Sequence, residues 1–328
     1  MINILAEQKI AQNTFLKKVI DSLENQSTHF SYYPLKRIIA LAKKENNVWL
    51  LSLKTKLIFG RFYFWHKKNP VWIEEPDFNY DNLSKQQKKI FTKLSRRAML
   101  ICFTTHSQAK LEKIGVVKDN IKLIFLGIDW EENKRQDNLF SKIAWQKAGA
   151  EKYFSLGTYA NLSQPNQVEN ILCAAKKSLG IIKNLQIIII GDGKERKNLI
   201  WLSQKMGLDH ITWFVGQQDN LQKWLDSFNL FITGDDRASL SNIETLLKVG
   251  SKSLPIIAFE NPNWGDFLIN EKTAIFSGAN DSESLADHII NLYKDQYLAD
   301  HIGHDLQKLI KEKFNLQETI NNFKKCIK

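Results

Sequence analysis

Six short apolar runs between Tyr153 and Gly278 constrain this chain most: YFSLGTY (153–159), LQIIIIG (185–191), ITWFVG (211–216), NLFITG (229–234), LPIIAF (254–259) and TAIFSG (273–278). They are rich in β-branched and aromatic residues and mostly end at glycine, so they read as buried strands. Segments of helical length separate them. In KERKNLIWLSQKMG (194–207), Leu199, Ile200, Leu202 and Met206 recur at helical spacing ahead of Gly207, and NQVENILCAAKKSL (166–179) is a second such segment. Strand and helix in alternation build a parallel sheet covered on both faces, because each crossover between parallel strands must lie on one face or the other.

The first half repeats the pattern with MINILA, HFSYY, NVWLLSL (47–53), VWIEE (71–75), AMLICFTT (98–105) and IKLIFLG (121–127) as strands. A chain of 328 residues is long for one core. Two domains are expected, 1–135 and 136–328, with the boundary inside the charge-dense IDWEENKRQDN (128–138). The fold expected is therefore α/β, with two Rossmann-like domains facing across a cleft and ligands bound beyond the carboxyl ends of the strands. The last helices of the second domain are candidates to pack back on the first.

Charge is divided unevenly. Residues 1–128 hold 22 Lys and Arg against 10 Asp and Glu, a net of +12, whereas residues 129–328 hold 24 against 25, a net of −1. Such a field concentrates an anionic partner, and a lysine-rich solvated surface is the plainer reading of any single lysine. FGRFYFWHKKNP (59–70) interleaves five aromatics with Arg61, Lys67 and Lys68. Three readings fit it: a buried strand-flanking segment, a contact with an anionic membrane, or a stacking platform for single-stranded nucleic acid. No nucleic-acid module accompanies it, and no nucleic-acid partner is expected.

Several chemistries drop out. The three cysteines, Cys102, Cys173 and Cys326, are far apart and form no CxxC pair, which argues against disulfides or a zinc knuckle and for a reducing, cytoplasmic setting. MINILAEQK is too short for a signal-peptide core, and no run reaches the roughly 18 apolar residues of a membrane helix. GDGKER (191–196) has Arg196 where a dinucleotide fingerprint needs its third glycine, and GxxxxGK[ST], HExxH and GxSxG are all missing. His301 and His304 read as surface residues rather than ligands, and no metal site is expected.

NLFITGDDRASLSNIETLL (229–247) runs strand, polar loop, helix. A carboxylate is a natural acceptor for paired hydroxyls, and amides at a helix start can meet phosphate. Asp236 or Ser239 also fits a plain helix cap. In order along the chain, IKLIFLGIDW, IIIIGDGKERKNLIWLSQKMGLDHITWFVG, SLPIIAFENPNWGDFLINEKTAIFSG and DSESLADHIINLYKD resemble the GT-B glycosyltransferases, in particular family 4 (group 1), the retaining nucleotide-sugar transferases. The resemblance covers the chain from about Met99 onward. It implies that Asp236 and Glu244, eight positions apart, mark a donor site, with Glu244 on ribose hydroxyls and Asp236 facing the transferred sugar. The amides of Ser239, Leu240 and Ser241 are candidates for the diphosphate, and Gly216 and Gln217 are further donor-side candidates.

Two departures accompany it. The family carries an Arg and a Lys for the leaving diphosphate where this chain has Thr158 and Asn166, and Arg237 is the candidate replacement; pairing with Asp235 at the surface is its other reading. AEQKIAQNTF lacks the glycine pair expected after the first strand, and Glu74, Glu75 and Asp77 stand where a histidine is often found, as acceptor-side candidates. The first domain is expected to be a strand or two short. What the resemblance implies is sugar transfer from a nucleoside-diphosphate sugar to a glycan or lipid-linked glycan, with retention and no cofactor or metal, in bacterial surface polysaccharide or lipopolysaccharide synthesis at the inner face of the membrane. The alternative is a catalytically degenerate GT-B scaffold that binds or assembles.

Overall fold

The computed structural model describes residues 2–7, 14–23, 28–33, 47–52, 71–133 apart from 77, 79 and 97, and 153–327 apart from 164–166 and 219. Two compact units divide the chain: Met1–Gly127 with Ala238–Glu244 and Phe314–Lys328, and Ile128–Arg237 with Thr245–Lys313. The boundary expected at 135/136 lies outside the described residues, as do the aromatic segment 59–70, Asp77 and Asn166.

In the first unit β1 (Ile2–Glu7), β2 (Thr28–Tyr33), β3 (Asn47–Ser52), β4 (Val71–Ile73), β5 (Met99–Cys102) and β6 (Ile121–Leu123) form one sheet in the order β2-β1-β3-β4-β5-β6. Every pairing is parallel. Among the described residues each unit contributes six strands. Helices α1 (Thr14–Leu23), α2 (Lys85–Ser95) and α3 (Thr105–Lys113) belong to this unit. The Thr104 hydroxyl accepts the Ser107 amide at 3.0 Å and so starts α3. The carboxyl-terminal helix (Leu316–Ile327) also belongs here, with Thr319 Oγ1 donating to the Phe125 carbonyl at 2.9 Å and Phe323 stacked on Phe103.

The second unit's strands are β7 (Phe154–Tyr159), β8 (Leu185–Ile190), β9 (Thr212–Gly216), β10 (Leu230–Thr233), β11 (Ile256–Phe259) and β12 (Ile275–Ser277), ordered β12-β11-β10-β7-β8-β9 and again all parallel. All six apolar runs are therefore strands. LQIIII is buried along its whole length, as a central strand covered on both faces must be. The helix Val168–Ser178 sets Val168, Ile171, Leu172 and Ala175 on the core together with Ile187, Ile189, Ile232 and Ile289. Each such aliphatic side chain contributes about 1.5–3 kcal/mol by leaving water. Among the described residues no helix is long and apolar enough to cross a membrane.

Candidate functional site

The strand order fixes where a ligand can enter the second unit. The chain begins at β7, moves to β8 and β9 on one side, then returns to place β10 on the other. The order reverses between β7 and β10, and in sheets of this kind ligands bind beyond the carboxyl ends of the two strands at such a switch point. Register places Thr158 beside Ile232 and Tyr159 beside Thr233, so the loops begin side by side.

Gly234 ends β10 for a steric reason. A Cβ there would lie 2.7 Å from the Ala160 Cβ, Thr158 Oγ1 and the Tyr159 carbonyl. The Gly234 carbonyl takes the Gln167 amide at 3.0 Å. Asp235 then turns the chain: its Oδ1 accepts the Arg237 amide at 2.9 Å, an Asx turn, and also Arg237 Nε at 2.8 Å, while Oδ2 accepts Nη2 at 2.5 Å. The Asp236 carbonyl is held by Asn261 Nδ2 at 2.5 Å. Its carboxylate is half-buried and has no hydrogen-bond partner among the described residues.

Ser239 caps the helix Leu240–Ser251. Its hydroxyl accepts the Asn242 amide at 3.1 Å and its carbonyl the Ile243 amide at 3.0 Å. That leaves the Leu240 and Ser241 amides at the positive end of a helix, with no intrahelical acceptor. Leu240, Ile243, Leu246 and Leu247 bury one face, and Glu244 sits half-buried one turn in. Of the two readings open for Ser239, the cap is realised by its side chain; Asp236 caps nothing among the described residues.

The remaining candidates are more scattered. Thr158 is 1% exposed, and its Oγ1, with no partner among the described residues, lies behind Gly234. Gly216 takes φ 73° at the end of β9, with none of the described residues within 4 Å of the place a Cβ would take, and Gln217 is exposed. The loops after β7, β8 and β9 are laced together: the Gly191 amide donates to Gly216 at 2.9 Å and the Leu162 amide to Asp192 at 3.1 Å. In the first unit Glu74 is 1% exposed and accepts the Tyr80 hydroxyl at 3.1 Å, so it cannot meet an acceptor as it stands, whereas Glu75 is half-buried. Burial first, and the Glu74 charge second, push the Tyr80 phenol well above its usual 10.0. Tyr80→Phe is expected to lower stability by about 1.5–3 kcal/mol, read from urea unfolding, as the lost donor to a buried carboxylate requires.

Three residues take roles that the sequence does not signal. Asn261 and Gln167 hold the loop by its carbonyls, and Asp235 is a buried clamp, 4% exposed rather than half of a surface pair. Asn-Pro at 261–262 is a turn signal in the sequence, but nothing local marks its long-range partner. Among the described residues no three His, Cys, Asp or Glu side chains gather as a metal-binding group.

Two parallel, doubly wound units of this kind define a GT-B glycosyltransferase fold. The chain superposes on the Anabaena Alr3699/HepE structure in complex with UDP and glucose with a TM-score of 0.78 over 99% of both chains, at 14% identity. The profile of glycosyl transferases group 1 matches residues 139–309, and the chain belongs to that family. It is also similar to the N-acetyl-alpha-D-glucosaminyl L-malate synthase of Bacillus anthracis, 20% identical over 164 residues, which are 50% of this chain and 42% of that protein. The lipopolysaccharide core biosynthesis glycosyltransferase LpsE of Rhizobium meliloti (strain 1021) is 25% identical over 122 residues, 36% of this chain and 35% of that one. The chain thus spans less than half the length of these two relatives.

Proposed function

We propose that this chain transfers a sugar from a nucleoside-diphosphate sugar to a glycan or lipid-linked glycan, in the assembly of a bacterial surface polysaccharide or lipopolysaccharide. One observation carries the reading: a loop at the β7/β10 switch point holds Asp236, whose carboxylate has no hydrogen-bond partner among the described residues, and two helix-start amides, Leu240 and Ser241. In the reaction the anomeric carbon's bond to the diphosphate oxygen breaks, a bond to the acceptor oxygen forms, and the acceptor proton is released. Negative charge grows on the leaving diphosphate. Amides already aimed at that position stabilise it without reorganising, which is usually the largest electrostatic contribution to catalysis. Asp236 faces the transferred sugar, and Glu244 accepts the ribose hydroxyls. Retention at the anomeric carbon and independence of metal are part of the proposal and rest on the family resemblance.

The lipopolysaccharide setting is supported by the name of the Rhizobium relative. The basic first half, +12 over residues 1–128, suits an acceptor presented on an anionic membrane, and peripheral attachment at its cytoplasmic face belongs to the same proposal. The test is turnover of common sugar nucleotides by purified chain. Release of nucleoside diphosphate, rising with a glycan acceptor, is expected; no hydrolysis or transfer with any donor would remove the reading.

A degenerate scaffold is the rival. It is favoured by the buried Thr158 at the position of the family's Arg and by the engagement of Arg237 with Asp235. Thermal unfolding separates the two, since a nucleoside diphosphate should raise the midpoint of an enzyme and leave a scaffold without a donor site unchanged.

A further inference from the structure

Arg237 is the one cation between Gly234 and Glu244. Asp235, only 4% exposed, takes three bonds from it, to the amide, Nε and Nη2. Nε and Nη2 lie along one edge of the guanidinium, so pairing through both fixes the plane of the group. A lysine could not be held in this way. The side chain nevertheless remains 33% exposed, so the clamped group still meets solvent. Asp236 has no share in the clamp: its carbonyl is fixed by Asn261 and its carboxylate is unpartnered among the described residues. The two adjacent acids therefore have different tasks, Asp235 turned inward to Arg237 and Asp236 left for a ligand.

We infer that Asp235 is a positioning residue, which holds the Arg237 guanidinium as a fixed donor to the diphosphate of a bound nucleotide sugar. The inference rests on the glycosyltransferase reading and deepens it. Pairing with Asp235 cancels much of the distant field of Arg237, but N–H groups outside the clamped edge keep their direction, and donors already oriented bind without reorganising. It is the combination of a buried carboxylate with a partly exposed guanidinium that separates this arrangement from a surface ion pair.

The test compares UDP with UMP by calorimetry on the full chain, with ADP and GDP alongside, so that the distal phosphate is read apart from the nucleoside. Wild type should favour the diphosphate. Asp235→Asn and Arg237→Lys should each reduce the UDP-over-UMP preference about tenfold, the scale of one charge-assisted hydrogen bond, with UMP affinity unchanged. The double variant Asp235→Asn with Arg237→Gln, which orphans no buried charge, should lose no more than either single one, because both act through one group. A preserved preference in the single variants, equal weakening of UDP and UMP, or losses that multiply in the double variant would each overturn the inference. Should Asp235→Asn fail to fold, Arg237→Lys carries the same expectation, since it keeps a cation for Asp235 and lacks the planar edge. Wild type that binds none of the nucleotides would remove the donor site itself, an outcome distinct from wild-type binding with unaltered variants.

Discussion

Gly191→Ala is expected to unfold at far lower temperature and urea concentration than wild type, with a loss of about 3–5 kcal/mol out of the 5–15 typical of a folded protein. Two costs combine at this position. Gly191 has φ 132°, a conformation that side chains rarely adopt, and its Cβ would stand 1.9 Å from the Ala160 carbonyl oxygen. Backbone cannot rotate aside as a side chain can. To relieve the clash the β7 loop must retreat, and that strains the bonds from the Ala160 amide to Ile190 and from the Gly191 amide to Gly216, at 3.0 and 2.9 Å. Gly216→Ala is the internal comparison: φ is 73°, but none of the described residues lies within 4 Å of the Cβ position, so only the left-handed conformation is penalised, by about 1–2 kcal/mol. Urea unfolding of the two variants checks this. Equal losses would show that the approach to Ala160 is not what the glycine serves.

GDGKER illustrates how far the sequence could be read. Its third position, Arg196, rightly argues against a dinucleotide fingerprint, yet its two glycines are no accident of composition. Gly191 meets Ala160, and Gly193, at φ 156°, would bring a Cβ to 2.1 Å from the Ser163 amide. The crossing of two loops from distant sequence is invisible in either loop alone. Strands, by contrast, were plain, because six runs such as LQIIII can be satisfied only by burial on both faces. The order β12-β11-β10-β7-β8-β9 was not written in any run; it follows from which helices cross which face.

The donor loop is an intermediate case. Eight-residue spacing marks Asp236 and Glu244 only through a family resemblance, not through chemistry that two acids must perform. Adjacent aspartates then gave no sign of which one turns inward. Folding decides it: Asp235 follows Gly234 directly, at the close approach of β10 to Thr158 and Ala160, where only 4% of it meets solvent, and its hydrogen bonds come from a residue two places on. Thr158, which stands where the family carries an Arg, is buried, and its hydroxyl lies 2.7 Å from the place a Cβ on Gly234 would take. Burial of this kind depends on a neighbour 76 positions away in the chain, which no local pattern encodes.

Glu244→Ala is expected to weaken UDP binding and kcat/KM for a sugar nucleotide by about a hundredfold or more. A carboxylate that accepts two ribose hydroxyls supplies two charge-assisted bonds, each contributing about 1.5–3 kcal/mol, and alanine supplies neither. Stability should change little by comparison, since Glu244 is half-buried on a helix whose packing face is made by Leu240, Ile243, Leu246 and Leu247. Alanine is also a strong helix former. Glu244→Gln separates charge from shape: one acceptor oxygen remains, the other becomes a donor, and an intermediate loss of about tenfold is expected. Calorimetry with UDP and with its 2′-deoxy analogue makes the assignment specific, because removing a ribose hydroxyl should weaken binding to wild type and hardly alter binding to Glu244→Ala. If the deoxy analogue loses the same factor against both proteins, Glu244 does not hold the ribose, and the eight-residue pair is a coincidence of spacing.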